Sequence, residues 1–412
     1  MQMIFHELGH TKNNSWNHLV LAAAVCAVLE VVLSVSVRAQ VVPGHVVDAH
    51  GAPQYQVDPF WPKPLPNRWS MQQVTGIYVD HMDHVWFINR NRAAEPIEIS
   101  GDALGNGLCC VLGPEIIELD QEGNVVSAWG DADHHPLWPT SLQTVIADTQ
   151  GFVWVAGTGP QDSILKFTRE GEFVWDFGHR PPPDAPRGEN NQVTDYVPGK
   201  GRFQLDEVEN ELYIIDQKRV VVFDASTGEF ERGWGGHGMP LSEITNEPIL
   251  GYTWSGGPPP EERNFVPTLH FIAISRDRRV YVGERGQNRM QVFTTEGEWL
   301  QDIYVAPNTP ARGCGGLDLE GTSCGTLYKM TISKDPDQKY LFVADGANHV
   351  VWIVARESGE TLGHFSEHGR LAGQMHVPNA IAIDTSGSIY TGEVSSGKRI
   401  QKFVPVTASP AR

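Results

Sequence analysis

Apolar residues in this chain fall in runs of four to six, broken at short intervals by turns that contain glycine. Residues 280–299 show the unit. An apolar run, 280–283, ends in Glu284; a turn with Gly286 and Asn288 leads to a second run, 290–293; a tight turn at 295–298 leads to a third. Short runs rich in Val, Ile, Phe, Tyr and Trp are strands, and turns this tight make antiparallel hairpins. The first run recurs at 85–88, 153–156, 212–215, 341–344 and 389–392, which makes six copies. The 295–298 turn recurs at 121–124, 169–172, 226–229 and 357–360, with glycine at the position that needs positive φ.

A further apolar run precedes the first strand, at 76–79, 144–147, 271–274, 330–332 and 380–383. Each unit therefore predicts four antiparallel strands. One such twisted sheet cannot bury both of its faces, whereas six packed radially can. The expected fold is all-β, a six-bladed β-propeller with four-stranded antiparallel blades. The sixth copy stops after its strand at 399–404, and an orphan extended run at 55–60 is expected to pair with that strand and close the ring from the N-terminal side.

Two patterns carry a resemblance. One is Asp-x-x-Gly-x-hydrophobic-aromatic, from Asp148 to Trp154 and from Asp384 to Tyr390; the other is Asn-Arg-x-Gln-x-Phe, from Asn288 to Phe293. They resemble the NHL-repeat six-bladed propellers, over residues 54–405. That family includes the lyase domain of peptidylglycine α-amidating enzyme. The resemblance implies the fold and leaves function open, because one fold hosts many functions.

Outside the propeller, residues 1–39 read as a signal peptide. Positions 19–37 are apolar apart from Glu30 and two serines, and Val37-Arg38-Ala39 precedes Gln40 as a small-residue cleavage site. An uncleaved N-terminal anchor is the alternative. Residues 40–53 are then a linker and 406–412 a C-terminal tail. The expected location is periplasmic or extracellular, where disulfides persist. Cys314 and Cys324 bracket a Gly-rich loop and are expected to form a local disulfide. Cys109 and Cys110 are adjacent, and a vicinal disulfide there is similar to that of some members of the family. A formal net charge of −19 without a clustered basic stripe argues against nucleic acid and anionic membrane surfaces as partners.

Four insertions, 90–110, 178–201, 235–264 and 306–326, are longer than hairpin turns. The first joins the second and third strands of blade one, and the others run from an outer strand to the next inner strand. Both connection types emerge on one face. A small molecule, peptide or protein is expected on that long-loop face, bound by a monomer.

Counting nine to ten residues back from each second strand, and three more in blade five, reaches Thr75, Gln143, Arg202, His270, Tyr328 and Asn379. All are polar, beside apolar neighbours such as Leu142, Leu269 and Pro378, which predicts a polar channel mouth. His376, three residues before Asn379, is placed to reach in from its loop, and His134, His135 and His237 are further candidates on the same face. In the amidating lyase the equivalent level carries three zinc-binding histidines on alternate blades, with tyrosine and arginine as catalytic partners. Here the alternate blades carry Gln143, His270 and Asn379. His270 is the one usual zinc ligand, and amide oxygens suit calcium better. Zinc or calcium in the central channel is thus the cofactor expectation.

Two functions follow. The first is ligand or partner binding around the channel mouth. The alternative is a metal-assisted lyase or hydrolase resembling peptidyl-α-hydroxyglycine α-amidating lyase. In it His270 holds the metal, Tyr328 is the general base and Arg202 stabilises negative charge. The acids that close the second strands, Asp216, Glu284, Asp345 and Glu393, are read as holders of the following turns rather than as bases. No nucleophile elbow, phosphate loop or His-Glu-x-x-His motif occurs.

Overall fold

The computed structural model describes residues 46–103, 108, 110–158, 163–185, 190–199, 201–252, 261–266, 269–311 and 324–407. The expected signal peptide, the start of the linker, Cys109 and Cys314 lie outside them.

Six four-stranded antiparallel sheets follow one another along the chain. Blade one is Gln73–Val79, Val85–Arg90, Ile116–Leu119 and Val125–Trp129, and blade two is Ser141–Ala147, Phe152–Thr158, Ser163–Thr168 and Phe173–Asp176. Blade three is Phe203–Asp206, Glu211–Asp216, Arg219–Asp224 and Phe230–Gly235; blade four is Leu269–Ile274, Arg279–Glu284, Arg289–Thr294 and Trp299–Tyr304. Blade five is Lys329–Ile332, Tyr340–Asp345, Val350–Ala355 and Thr361–Phe365. Blade six takes Pro378–Ile383, Ile389–Glu393 and Ile400–Pro405 from the C-terminal end and Tyr55–Asp58 from the N-terminal side. Tyr55 stands opposite Pro405 and Asp58 opposite Lys402.

The second and third strands are apolar on both faces because both faces are covered, each by a neighbouring blade. Trp154 and Ile164 of blade two pack with Phe203, Ile214 and Val221 of blade three. Phe271 and Met290 of blade four pack with Met330 and Leu341 of blade five. The core therefore lies between blades, and no blade is stable alone.

The Asp-to-aromatic spacing has a local cause. Asp148 closes the inner strand of blade two, and its Oδ1 accepts the turn N–H groups of Gln150 and Phe152. Its Oδ2 accepts the indole N–H of Trp154 at 2.9 Å. Asp80 with Trp86 (3.1 Å) and Asp384 with the Tyr390 hydroxyl (2.9 Å) repeat the arrangement. One carboxylate closes the turn and satisfies the polar atom of a buried ring.

The first insertion, expected as loop, carries a short helix, α1 (Pro96–Ala103). Its Glu98 pairs with Lys398 of blade six.

Candidate functional site: the axial collar

The inner strands do not run straight into the channel. In four blades the register slips near the start of the inner strand: between Val74 and Ile77, Leu142 and Thr144, Leu269 and Phe271, and Pro378 and Ala380. The residues skipped include Thr75, Gln143, His270 and Asn379. A β-bulge leaves one residue unpaired and re-aims its side chain. In blades three and five the corresponding residues, Arg202 and Tyr328, immediately precede the strand. The six polar side chains, joined by Lys329, line one cavity of about 10 Å³, room for a single water-sized sphere. The expected open mouth is thus a tight collar. A wider cavity of about 220 Å³ lies further along the same strands, walled by residues such as Ile77, Val145, Ile272, Met330 and Ile381, and Lys329 borders both.

The collar is stitched from blade to blade. Thr75 donates its hydroxyl to the Leu142 carbonyl at 2.8 Å. His270 donates from Nδ1 to the Tyr328 carbonyl. A carbonyl only accepts, so Nδ1 carries the proton and Nε2 keeps its lone pair. The Tyr328 hydroxyl accepts from Arg285 at 2.8 Å, and that guanidinium lies 3.9 Å over the phenol ring. Arg285 is braced in turn by the Cys324 carbonyl at 2.8 Å.

Electrostatically the collar is cationic. Burial, then Arg285 and Arg90, pushes Arg202 down to about 10. Burial and Arg202 push Lys329 down to about 8. Burial, Arg202 and Arg285 hold His270 well below the usual imidazole range, so its ring is neutral. Arg202 and Lys329 still carry charge at pH 7, and no carboxylate lines the collar.

This donor set does not fit zinc or calcium. Zinc wants three or four imidazole, thiolate or carboxylate ligands, and calcium wants several oxygens including carboxylates. The collar offers one imidazole and two amides beside two cations.

His376 does not line the collar cavity. Glu393 Oε2 accepts its backbone N–H at 2.9 Å, and its Nδ1 lies 3.1 Å from His368 Nε2. These bonds hold it over blade six, grouped with His349 and His368. In that group the Val377 N–H donates to His349 Nδ1 at 2.9 Å, which leaves the proton of the neutral ring on Nε2. His134, His135 and His237 stack on Trp129, Phe173 and Trp299, all on outer strands.

The strand-closing acids hold turns. Glu284 meets Arg289 at 2.8 Å and accepts from Gln291 at 3.0 Å. Glu393 repeats this with Arg399 at 2.7 Å and Gln401 at 2.9 Å. Asp216 meets Arg219 at 3.0 Å, and Asp345 holds Asn348 and Trp352. In blade four the turn partner is Arg289, while the amide of Asn288 donates to the Tyr252 hydroxyl and the Thr309 carbonyl. Cys110 and Cys324 are each disulfide-bonded.

Reading the sequence for polar starts of inner strands missed Lys329. Its signal was a lysine directly after a collar position, in a strand otherwise apolar or hydroxylic.

No family model matches the chain. NHL repeat-containing protein 3 of Homo sapiens is 25% identical over 307 residues, covering 72% of this chain and 74% of that protein. Its Mus musculus counterpart is 25% identical over 305 residues, covering 71% and 73%. A solved structure from Bacteroides thetaiotaomicron, a structural genomics protein of unknown function, is 15% identical, with a TM-score of 0.48 over 82% of this chain and 70% of that one.

Proposed function

We propose that this chain, an NHL-repeat β-propeller, is an exported binding protein that takes its ligand or partner on the long-loop face, around the axial collar. NHL propellers are in general protein-binding scaffolds. One observation carries the reading to this site: side chains from all six blades converge on one cavity, the half-buried amides of Gln143 and Asn379 among them. A few polar groups converging on one point are what fixes a ligand's orientation in a binding site. Exposed apolar side chains on loops of that face, Ile97, Leu250 and Leu371, offer further contact area.

Metal-assisted lyase or hydrolase chemistry is the weaker reading. His270, Tyr328 and Arg202 share the collar, as that reading needs, but the donor set does not fit its metal. Export is part of the proposal: cleavage before Gln40, and disulfides joining Cys109 to Cys110 and Cys314 to Cys324.

A thermal-shift screen of peptides, sugars and organic acids tests the binding reading. Compounds that raise the melting temperature of the wild type lose their effect in the double variant Gln143→Ala, Asn379→Ala, whose own melting is little changed. Hits that survive the double substitution overturn the collar as the binding site.

A further inference from the structure

We infer that the axial channel takes a small organic anion, its acidic group beside Lys329 at the boundary of the two cavities, facing the collar that Arg202 lines, and its remainder in the wider cavity beyond. This rests on reading the collar as a binding site and names the chemistry of what it binds.

The charge inventory comes first. Neither the guanidinium of Arg202 nor the ammonium of Lys329 has a hydrogen-bond or ion-pair partner among the described residues, and no carboxylate lines either cavity. Acids do act on the neighbouring arginines, Glu115 on Arg90 and Asp345 on Arg285, but neither reaches the channel. Both are half-buried, and a partly desolvated cation without a counter-charge favours one brought by a ligand. The counter-charge missing from the protein is what an anionic ligand supplies.

Geometry then narrows the anion. The guanidinium is a planar donor fork that matches a carboxylate, and Lys329 adds a point charge. The Gln143 and Asn379 amides line the same cavity and can donate to an acidic oxygen. Lys329 stands at the boundary of the two cavities, so a headgroup held by it has its remainder directed either to the collar's single-water space or to the 220 Å³ beyond. Only the second has room, and aliphatic side chains such as Ile77, Val145, Ile272 and Ile381 wall it together with polar ones, among them Gln204, Gln338 and a third cation, Lys334. A fully hydrated inorganic anion would leave those walls uncovered. A carboxylate with a short alkyl chain satisfies both ends.

Titration calorimetry of the full chain with hexanoate, hexylamine and inorganic phosphate tests this. Hexanoate is expected to bind one per chain, hexylamine not at all, and phosphate about tenfold or more weaker than hexanoate. Arg202→Gln and Lys329→Met, each checked for an intact fold by circular dichroism, are expected to weaken hexanoate about tenfold or more. Ile272→Phe, which narrows the wider cavity and leaves both cations in place, is expected to weaken hexanoate and spare phosphate. Equal binding of hexanoate and hexylamine, phosphate as the tighter ligand, or hexanoate binding unchanged in both cation variants overturns the inference. If hexanoate does not bind while screened compounds still depend on Gln143 and Asn379, the binding reading stands and the anion is wrong.

Discussion

His270 of blade four donates its ring N–H to the main-chain carbonyl of Tyr328 in blade five, so two collar residues are tied side chain to backbone across a blade boundary. His270→Ala removes that hydrogen bond and should cost about 1 kcal/mol in urea unfolding. His270→Asn, which keeps a donor near the Nδ1 position, should recover part of the loss. Addition of EDTA should leave the wild-type midpoint unmoved, because the tie is a hydrogen bond. A chelator-sensitive midpoint would contradict the cationic reading of the collar.

Gly346 leaves space for the Tyr328 ring. A Cβ there would stand 2.6–2.8 Å from three ring atoms, closer than carbon atoms tolerate. Gly346→Ala is therefore expected to displace the ring and destabilise by about 1–3 kcal/mol. Tyr328→Leu in the same chain should relieve most of that cost. Independent, additive losses in the two single variants would show that the ring does not rest on this glycine.

Lys329 should make stability depend on pH in an uncommon direction. Its folded value, about 8, lies below its ordinary 10.5, so between those values the unfolded chain binds the extra proton. Stability then rises as pH climbs from 8 to 10.5, and the cost of the enclosed charge is fully present below 8. Lys329→Met should stabilise the ligand-free protein at pH 7 by roughly 1–3 kcal/mol and flatten this rise. Urea unfolding at pH 7 and pH 10 reads both effects. A methionine variant less stable than the wild type at pH 7 would mean that Lys329 is already paired.

Glu284 and Arg289 are both fully buried and meet at 2.8 Å. Glu284→Gln removes the buried partner of Arg289 and leaves it with Asp302 at 3.1 Å, so the change should cost about 3 kcal/mol, while replacing both with apolar residues should cost less. A double-mutant cycle reads the coupling. A Glu284→Gln variant that folds as stably as the wild type would return this acid to the list of candidate bases.

The oxidised cysteines can be checked by peptide mapping without reduction. Linked peptides containing Cys314 and Cys324, and an internally bonded Cys109-Cys110, are expected, on a mature chain beginning at Gln40. Free thiols at Cys109 and Cys110 would remove the vicinal bond.

Much of the fold was legible because its signal is local and repeated. The run of Val, Trp and Ile before each turn, and Asp148 six residues ahead of Trp154, are set by contacts within one hairpin. The collar was half legible. Thr75, Gln143, His270 and Asn379 stand out as polar residues at a fixed offset, since in these four blades a bulge falls at the same place. Lys329 and the tightness of the cavity were not, because they depend on how six strands from distant parts of the chain converge. The group of His349, His368 and His376 was hidden for the same reason: its two loops, one within blade five and one leading to blade six, share no sequence pattern, and the packing of the two blades brings them together.

The sheet of blade six joins chain segments about 350 residues apart, with Tyr55 facing Pro405. During synthesis the early segment has no place to dock until nearly the whole polypeptide has emerged, so its ladder is among the last to form. Trimming the chain before Ile400 would therefore undo structure at the opposite end. Such a truncation would show first as protease sensitivity around Tyr55, far from the cut in sequence.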